Sequence, residues 1–196
     1  MSRALAHHSR KPLDAYYTPD LLARVLVQEL PIGPEDLVLE PHAGGGAFVR
    51  ALVAKPARVL ALDVNPDAPG LRFAPMRTVM DFLDYKPGAG VAPNWVVGNP
   101  PYLAAEAHIR HALRLAPNVA FLLRLGFLES AKRLSFWGQH PPSEVHVLAQ
   151  RPSFTGKGTD SAAYGWFVWR TGRAGPTVLH ILDWKRGGEH GSEDHD

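Results

Sequence analysis

The sequence predicts one doubly wound α/β domain whose mostly parallel sheet ends in an antiparallel β-hairpin edge. Two observations lead to this fold class. Short, wholly apolar runs alternate with helical stretches as far as Arg124, which is typical of parallel strands covered by helices on both faces. Three further strand-like runs then follow with no helical pattern between them. A chain of 196 residues with 45% hydrophobic content can bury one such core.

Each element follows from a local pattern. The predicted strands cover residues 37–40, 58–63, 95–98, 119–124, 144–148, 164–170 and 178–184. Predicted helices cover 47–54, 104–116 and 128–137, and an earlier helix is capped by Thr18, with Pro19 at its first position. We expect residues 1–13 to form a flexible basic arm, 14–184 the folded domain and 185–196 a disordered tail.

Composition excludes several classes of function. The chain has no cysteine, so disulfide frameworks, thiolate zinc sites and cysteine nucleophiles are excluded. No apolar run reaches about eighteen residues and the first residues lack a signal-peptide core, so we expect a cytoplasmic protein with no membrane partner. The histidines lack metal-ligand spacing, and no metal is predicted. A net charge of +2 and a pI of about 9.0 are compatible with nucleic acid without requiring it.

A glycine-rich turn between a strand and a helix predicts a ligand site. Glycines allow backbone amides to approach a ligand, and Asp63, after the next strand, can bind ribose hydroxyls. Two residues argue against a dinucleotide cofactor. Val49 stands where a dinucleotide site would have its third glycine, and the Glu40 carboxylate would repel a pyrophosphate. A carboxylate instead suits the cationic amino acid end of S-adenosylmethionine. The expected contacts come from Glu40, Pro41, Ala43, Gly44, Gly46, Phe48, Asp63 and Val64.

The tetrapeptide Asn99-Pro100-Pro101-Tyr102 follows a predicted strand and forms a rigid loop, because each proline ring fixes φ and removes a donor. The Asn99 side-chain oxygen and the Pro100 carbonyl can each accept an N–H bond. Such bonds favour a pyramidal nitrogen in an amine whose lone pair is delocalised into a ring, as in adenine. Tyr102 can stack on a base rotated out of a duplex. These four residues are therefore the predicted catalytic group.

Together, the glycine loop and the Asn-Pro-Pro-Tyr tetrapeptide resemble the adenine-specific amino-group DNA methyltransferases of the class I S-adenosylmethionine-dependent fold. The resemblance implies a Rossmann-like methyltransferase sheet, a catalytic domain over residues 14–184, S-adenosylmethionine as cofactor and the N6 amine of adenine in DNA as acceptor. It covers about four-fifths of the chain.

Further positions follow from the same resemblance. Tyr17, Thr18 and Pro19 match a segment that covers the methionine part of the cofactor, and Asp81 with Phe82 matches a pair that contacts its adenine. Asn99 also borders the cofactor. Arg151-Pro152-Ser153-Phe154 resembles a late motif whose aromatic residue packs on the target base. Independently of the resemblance, Arg124, Lys132 and Arg133 lie near the carboxyl edge of the fifth predicted strand and its following helix, where a ligand crevice is expected, and Lys157 is a basic residue between two glycines. The predicted contacts to the target base or to nucleic acid are therefore Tyr102, Arg124, Lys132, Arg133, Arg151, Phe154 and Lys157.

The order of the motifs matches the family's γ arrangement, which usually carries a large C-terminal recognition domain. Little sequence follows Asp183, so we expect relaxed sequence specificity or a dimer. RNA adenine and the side-chain amide of protein glutamine are alternative acceptors, and cytosine is less favoured because such enzymes more often have Ser-Pro-Pro-Tyr. A catalytically inactive nucleic-acid-binding regulator is a second alternative. Target sequence, oligomeric state and biological role, including restriction-modification or a phage function, are open at this stage.

Overall fold

The structure, a computed structural model, describes residues 17–154, 158–173 and 175–186. The strands are β1 (Leu37–Glu40), β2 (Arg58–Asp63), β3 (Met76–Val79), β4 (Trp95–Gly98), β5 (Asn118–Arg124), β6 (Glu144–Leu148), β7 (Tyr164–Arg170) and β8 (Val178–Leu182). The α-helices of this part of the chain are α1 (Asp20–Gln28), α2 (Ala47–Val53), α3 (Ala105–Leu115) and α4 (Leu134–Gln139). The predicted arm, and the tail from residue 187 onward, lie outside the described residues.

The eight strands form one sheet in the order β3-β2-β1-β4-β5-β7-β6-β8. Every neighbouring pair is parallel except those of β7, which runs antiparallel to both β5 and β6. The predicted mostly parallel sheet with an antiparallel hairpin is confirmed. The hairpin of β6 and β7 lies one strand inside the edge, because β8 pairs in parallel with β6 and covers it.

Strand order reverses between β1 and β4, the two central strands of the parallel part. In open α/β sheets the crevice beyond the carboxyl ends of strands at such a reversal is the usual ligand site. Glu40 ends β1, Asp63 ends β2, and Asn99 follows β4 directly. The topology therefore gathers the residues that the sequence singles out at one edge of the sheet.

Two apolar layers hold the sheet in place. On one face α1 and α2 pack against it, and the Phe48 ring stacks on the buried Trp166 with 5.5 Å between ring centroids. On the other face Ile109 of α3 and Phe136 of α4 are buried against Phe121 and Phe167. Strands that are buried on both faces read as continuous apolar runs. This burial explains why most strand bounds could be predicted from sequence.

Two helix predictions need correction. Helix α1 begins at Asp20 after Pro19 as its cap, and no side chain caps it; the Thr18 hydroxyl instead accepts a hydrogen bond from Asn99. The predicted helix 128–137 is wrong over its first half, where a 3-10 turn at Ala131–Arg133 precedes α4. Extended backbone at Ser130, with φ −170°, interrupts the helix there.

Strand β8 ends at Leu182, short of the predicted residue 184. Asp183 leaves the strand, since its carboxylate accepts a hydrogen bond from the Gln150 side chain at 2.7 Å. Trp184 is buried and donates from Nε1 to the Gln150 carbonyl. Among the described residues, no helix has the length and apolar character needed to cross a membrane.

Candidate active site

The loop after β1 is shaped by three successive glycines. Gly44 and Gly46 have positive φ angles of 44° and 88°, a region that side chains with a Cβ rarely adopt. The Tyr17 ring lies directly on Gly45, where an added Cβ would approach its Cδ1 to 2.5 Å. Gly46 then caps α2. Tyr17, from the segment before α1, thus lies over the glycine loop, and its predicted contact with the cofactor stays a prediction.

Asp63 holds the glycine loop from the end of β2. Its Oδ2 accepts the Gly44 amide at 2.8 Å and its Oδ1 accepts the Asn65 amide at 2.8 Å. A carboxylate oxygen has two acceptor positions, so both oxygens can still accept a hydroxyl. Val64, the next residue, is 65% exposed and offers an apolar surface beside the carboxylate. The pair could hold the ribose and the base of a nucleoside.

Glu40 is a buried carboxyl group between the glycine loop and β4. Its Oε1 accepts the His42 amide at 3.1 Å, whereas its Oε2 is buried and has no hydrogen-bond partner among the described residues. Burial raises the pKa of the Glu40 carboxyl well above its usual range, and Asp63 raises it further against the opposing bond from His42. Gly98 leaves room for this carboxyl group, because a Cβ at that position would overlap Glu40 Oε1. An unpartnered buried carboxylate oxygen is suited to a cationic ligand.

Asn99 stands at the end of β4 with its amide oriented by Thr18. Its Nδ2 donates to the Thr18 hydroxyl at 3.2 Å across the crevice. Its Oδ1 is buried and has no donor among the described residues. Buried acceptors are nearly always paired in native proteins, so this oxygen is set to accept an N–H group from a bound molecule. Pro100 is buried and Pro101 half-buried, which fixes the loop around that oxygen.

Tyr102 belongs to a polar and aromatic cluster above β5 and β7. The Arg124 guanidinium lies 4.9 Å from the Tyr102 ring centroid, and the Tyr164 ring lies 5.8 Å away at a tilt of 53°. Arg124 Nε donates to the Tyr164 hydroxyl at 3.1 Å, and that hydroxyl donates to Asp160 at 3.0 Å. Burial raises the pKa of the Tyr102 hydroxyl, which therefore stays neutral. This cluster forms the wall of the crevice beside Asn99.

Several predicted site residues serve packing in the structure. Phe82, Phe48 and Phe154 are respectively 2%, 5% and 5% exposed. The Phe82 ring joins the α3 side of the core, so only its backbone could contact a ligand. Phe154 packs on Tyr164 with ring centroids 5.0 Å apart, and a base could stack on it only after rearrangement. Side chains at Pro41 and Ala43 are also buried, which leaves their backbone groups to the loop.

The predicted cationic residues are divided between the site and the surface. Arg124 is engaged beside Tyr102, and Arg133 donates to the Phe127 carbonyl at 3.3 Å with its guanidinium over the Phe127 ring. Lys132 and Arg151 are exposed. Lys157 lies outside the described residues. Asp81 is exposed at the start of a short 3-10 turn, where its Oδ1 accepts the Leu83 amide at 2.9 Å.

Sequence reasoning missed three features of the site. Tyr164 and Asp160 hold Arg124, a partnership that depends on the register of β5 with β7 and has no local sequence signal. Leu103 follows the Asn-Pro-Pro-Tyr tetrapeptide and is fully exposed. An apolar residue directly after a predicted catalytic group is a signal that could have identified it from the sequence. His42, which has no predicted role, is half-buried with its ring against Phe82 and His108, and burial lowers its pKa well below the usual range.

Comparison with known proteins gives one curated relative and many solved structures. No family model matches the chain. The sequence is 27% identical over 170 residues to the ribosomal RNA small subunit methyltransferase A of Thermobifida fusca, covering 80% of this chain and 54% of the relative. The chain thus spans about half the length of that protein.

Solved structures with the same architecture have low sequence identity. A putative class I S-adenosylmethionine-dependent methyltransferase from Listeria monocytogenes superposes with a TM-score of 0.65, at 13% identity, over 86% of this chain and 66% of that one. The fold is that of the class I methyltransferases. A modification subunit of a putative type I restriction enzyme from Vibrio vulnificus superposes with a TM-score of 0.67, at 15% identity, over 85% of this chain and 47% of that one. A putative RNA methyltransferase from Pyrococcus horikoshii superposes with a TM-score of 0.64, at 14% identity, over 81% of this chain and 88% of that one.

Proposed function

We propose that this protein is an S-adenosylmethionine-dependent methyltransferase that acts on the exocyclic N6 amine of adenine in DNA. The observation that carries the proposal is the buried Asn99 Oδ1, which has no donor among the described residues while the amide nitrogen is held by Thr18. The class I methyltransferase fold and the similarity to methyltransferases that act on nucleic acid support it.

The residues of the crevice fit S-adenosylmethionine. The unpartnered Glu40 Oε2 would accept a hydrogen bond from the cationic amino group of the cofactor. The glycines of the loop under Tyr17 have no Cβ that would obstruct the amino acid part of the cofactor. Asp63 would accept the ribose hydroxyls, with Val64 against the adenine ring. When bound, the cofactor supplies an electrophilic methyl group attached to a sulfonium.

Asn99 and Pro100 prepare the acceptor amine. Asn99 Oδ1 would accept one N–H of the amine and the Pro100 carbonyl the other. Two acceptors placed out of the ring plane favour a pyramidal nitrogen, whose lone pair can then be directed at the methyl group. The amine N–H becomes acidic as the nitrogen acquires positive charge, so the site needs no strong base. After transfer the proton would pass to solvent water, and Asn99 would remain neutral throughout.

Tyr102 and Arg124 would receive the target base. The Tyr102 hydroxyl is neutral, because burial raises its pKa, and the nearby Asp160 carboxylate is paired with Arg124 at 3.8 Å. The guanidinium at 4.9 Å from the Tyr102 ring centroid covers part of the ring, and an incoming base would share or displace it. Aromatic and guanidinium planes both stack well on bases rotated out of a duplex.

RNA adenine is the second candidate acceptor, favoured by the 27% identity to a ribosomal RNA methyltransferase. The deciding experiment offers radiolabelled S-adenosylmethionine with duplex DNA, single-stranded DNA, RNA and protein in parallel. We expect labelled N6-methyladenine in DNA. Label confined to RNA would transfer the proposal to RNA adenine, and label on glutamine would indicate a protein acceptor. Cofactor binding with no transfer to any of them would indicate the inactive regulator.

A further inference from the structure

The structure contains a basic concavity at the opposite edge of the sheet from the Asn-Pro-Pro-Tyr tetrapeptide. It has a volume of about 490 Å³ and lies between α3, the end of α4 and the end of β7. Four arginines and one histidine line it, together with neutral side chains, and none of its lining residues is a carboxylate. The cationic residues are Arg110, Arg114, Arg170 and Arg173. Residues from three separate segments therefore converge on one electropositive surface.

Charge in this basic concavity is only partly balanced by neighbouring carboxylates. Arg110 pairs with Glu106 at 3.1 Å, and Arg170 and Arg173 both pair with one carboxylate, Glu144. Arg114 is exposed and contacts His111, with no carboxylate partner within the described ranges. Four guanidiniums thus face two carboxylates. A guanidinium has five N–H donors, so each paired arginine keeps donors for an anion.

The neutral lining residues complete an anion site. Gln139, Ser143 and Thr171 place amide and hydroxyl groups among the guanidiniums. His140 is fixed at the base, where its carbonyl accepts the Trp169 indole N–H at 3.0 Å. Burial lowers the pKa of His140, and the charge on Arg110 lowers it further. Planar guanidiniums with neighbouring hydroxyl donors match the geometry of phosphate oxygens.

We propose that this basic concavity binds the phosphodiester backbone of the same nucleic acid whose base enters the active site. The inference rests on the proposed function and adds a second contact surface to it. In the register of β5 with β7, Arg170 lies opposite Asn118 and Tyr164 lies opposite Arg124. Six residue steps along these strands separate Arg170 from Tyr164 by roughly 20 Å. Helices α3 and α4 cover that face of the sheet, so a duplex that reaches both sites would lie over these helices.

The test compares two double variants that each remove two positive charges. The first double variant, Arg114→Gln with Arg173→Gln, changes the basic concavity. Glu144 keeps its ion pair with Arg170 in this variant, so no carboxylate is left without a partner. Arg58→Gln with Arg77→Gln is the matched control, because both arginines are exposed on β2 and β3, at the other side of the sheet. Fluorescence anisotropy with a labelled DNA duplex is measured over a salt series, and S-adenosylmethionine affinity is measured by calorimetry.

We expect the Arg114/Arg173 variant to bind DNA roughly ten-fold more weakly at low salt. Its slope of log affinity against log salt should fall by about one to two units, while cofactor affinity stays unchanged and the control matches wild type. Equal slopes in the Arg114/Arg173 variant and wild type, or no DNA binding by wild type, would overturn the inference. DNA binding that depends on these arginines, without methyl transfer, would leave the inference standing and overturn the proposed function.

Discussion

Replacing Thr18 with valine removes one hydroxyl and almost no volume from the candidate active site. The Thr18 hydroxyl accepts a hydrogen bond from the Asn99 amide nitrogen at 3.2 Å. That bond decides which end of the amide faces the crevice. Without it, the amide can rotate and present its nitrogen, a donor, where the acceptor amine needs an oxygen. The variant therefore tests whether Asn99 is held in its catalytic orientation by Thr18.

The expected loss can be estimated from hydrogen-bond energetics. A hydrogen bond between neutral groups contributes about 0.5–1.5 kcal/mol net, and Thr18 and Asn99 are both half-buried, where water can partly replace the partner. Loss of about 1.4 kcal/mol from the transition state corresponds to a ten-fold lower kcat. We expect a loss near that size, well short of the effect of removing the Asn99 side chain itself.

The assay is steady-state methyl transfer with the S-adenosylmethionine concentration varied up to saturation, which gives both kcat and the KM for the cofactor. Thr18→Ser is the control, because it keeps the hydroxyl and should stay within about two-fold of wild type. A defect in KM for the cofactor alone would indicate that Thr18 contacts the cofactor without orienting Asn99. Wild-type kcat in Thr18→Val, or equal loss in both variants, would refute the positioning role.

Three further substitutions test the site. Glu40→Gln should weaken cofactor binding about ten-fold or more in calorimetry, because a carboxylate would no longer face the amino group. Without cofactor at neutral pH, the same variant should unfold at a higher temperature than wild type. Burial raises the pKa of Glu40 in the folded wild-type protein, so wild type loses stability as pH rises from the usual carboxyl range through that raised pKa. A thermal scan without this pH difference would contradict the assignment. Gly98→Ala should cost about 1–3 kcal/mol in urea unfolding, because its Cβ would overlap Glu40 Oε1; unchanged stability would show that the carboxyl can move away. Asp63→Ala should lower cofactor affinity by about 1–3 kcal/mol without changing acceptor preference, and unchanged affinity would restrict Asp63 to holding the loop.

The central part of the sheet could be predicted well because its strands are buried on both faces, whereas β3 and β8 are largely exposed. Runs such as β1 and β4, which are buried along their whole length, can be read from composition and from the glycines and prolines that follow them. The Asn-Pro-Pro-Tyr tetrapeptide and the glycine loop are each an uninterrupted segment that follows a strand. Because β1 and β4 are neighbours in the sheet, the two segments lie close together. The pairing of β8 with β6 depends on tertiary contacts, and the local sequence carries no signal for it.

Side-chain roles were harder to predict, since they depend on partners distant in sequence. Thr18 has the pattern of a helix cap, but Asn99, 81 residues away, takes its hydroxyl. Phe154 has the pattern of a base-stacking residue, but Tyr164 and the core bury it. Arg110 and Arg114 fit a solvated helix face, and only the fold brings them together with Arg170.

The central claim is that Asn99 Oδ1 accepts the amine that is methylated. The most direct measurement is methyl transfer by Asn99→Ala to adenine-containing duplex DNA, with cofactor affinity measured on the same preparation. We predict that transfer falls by roughly a hundred-fold or more while the dissociation constant for S-adenosylmethionine stays within a few-fold of wild type. Turnover near the wild-type rate in this variant would contradict the account.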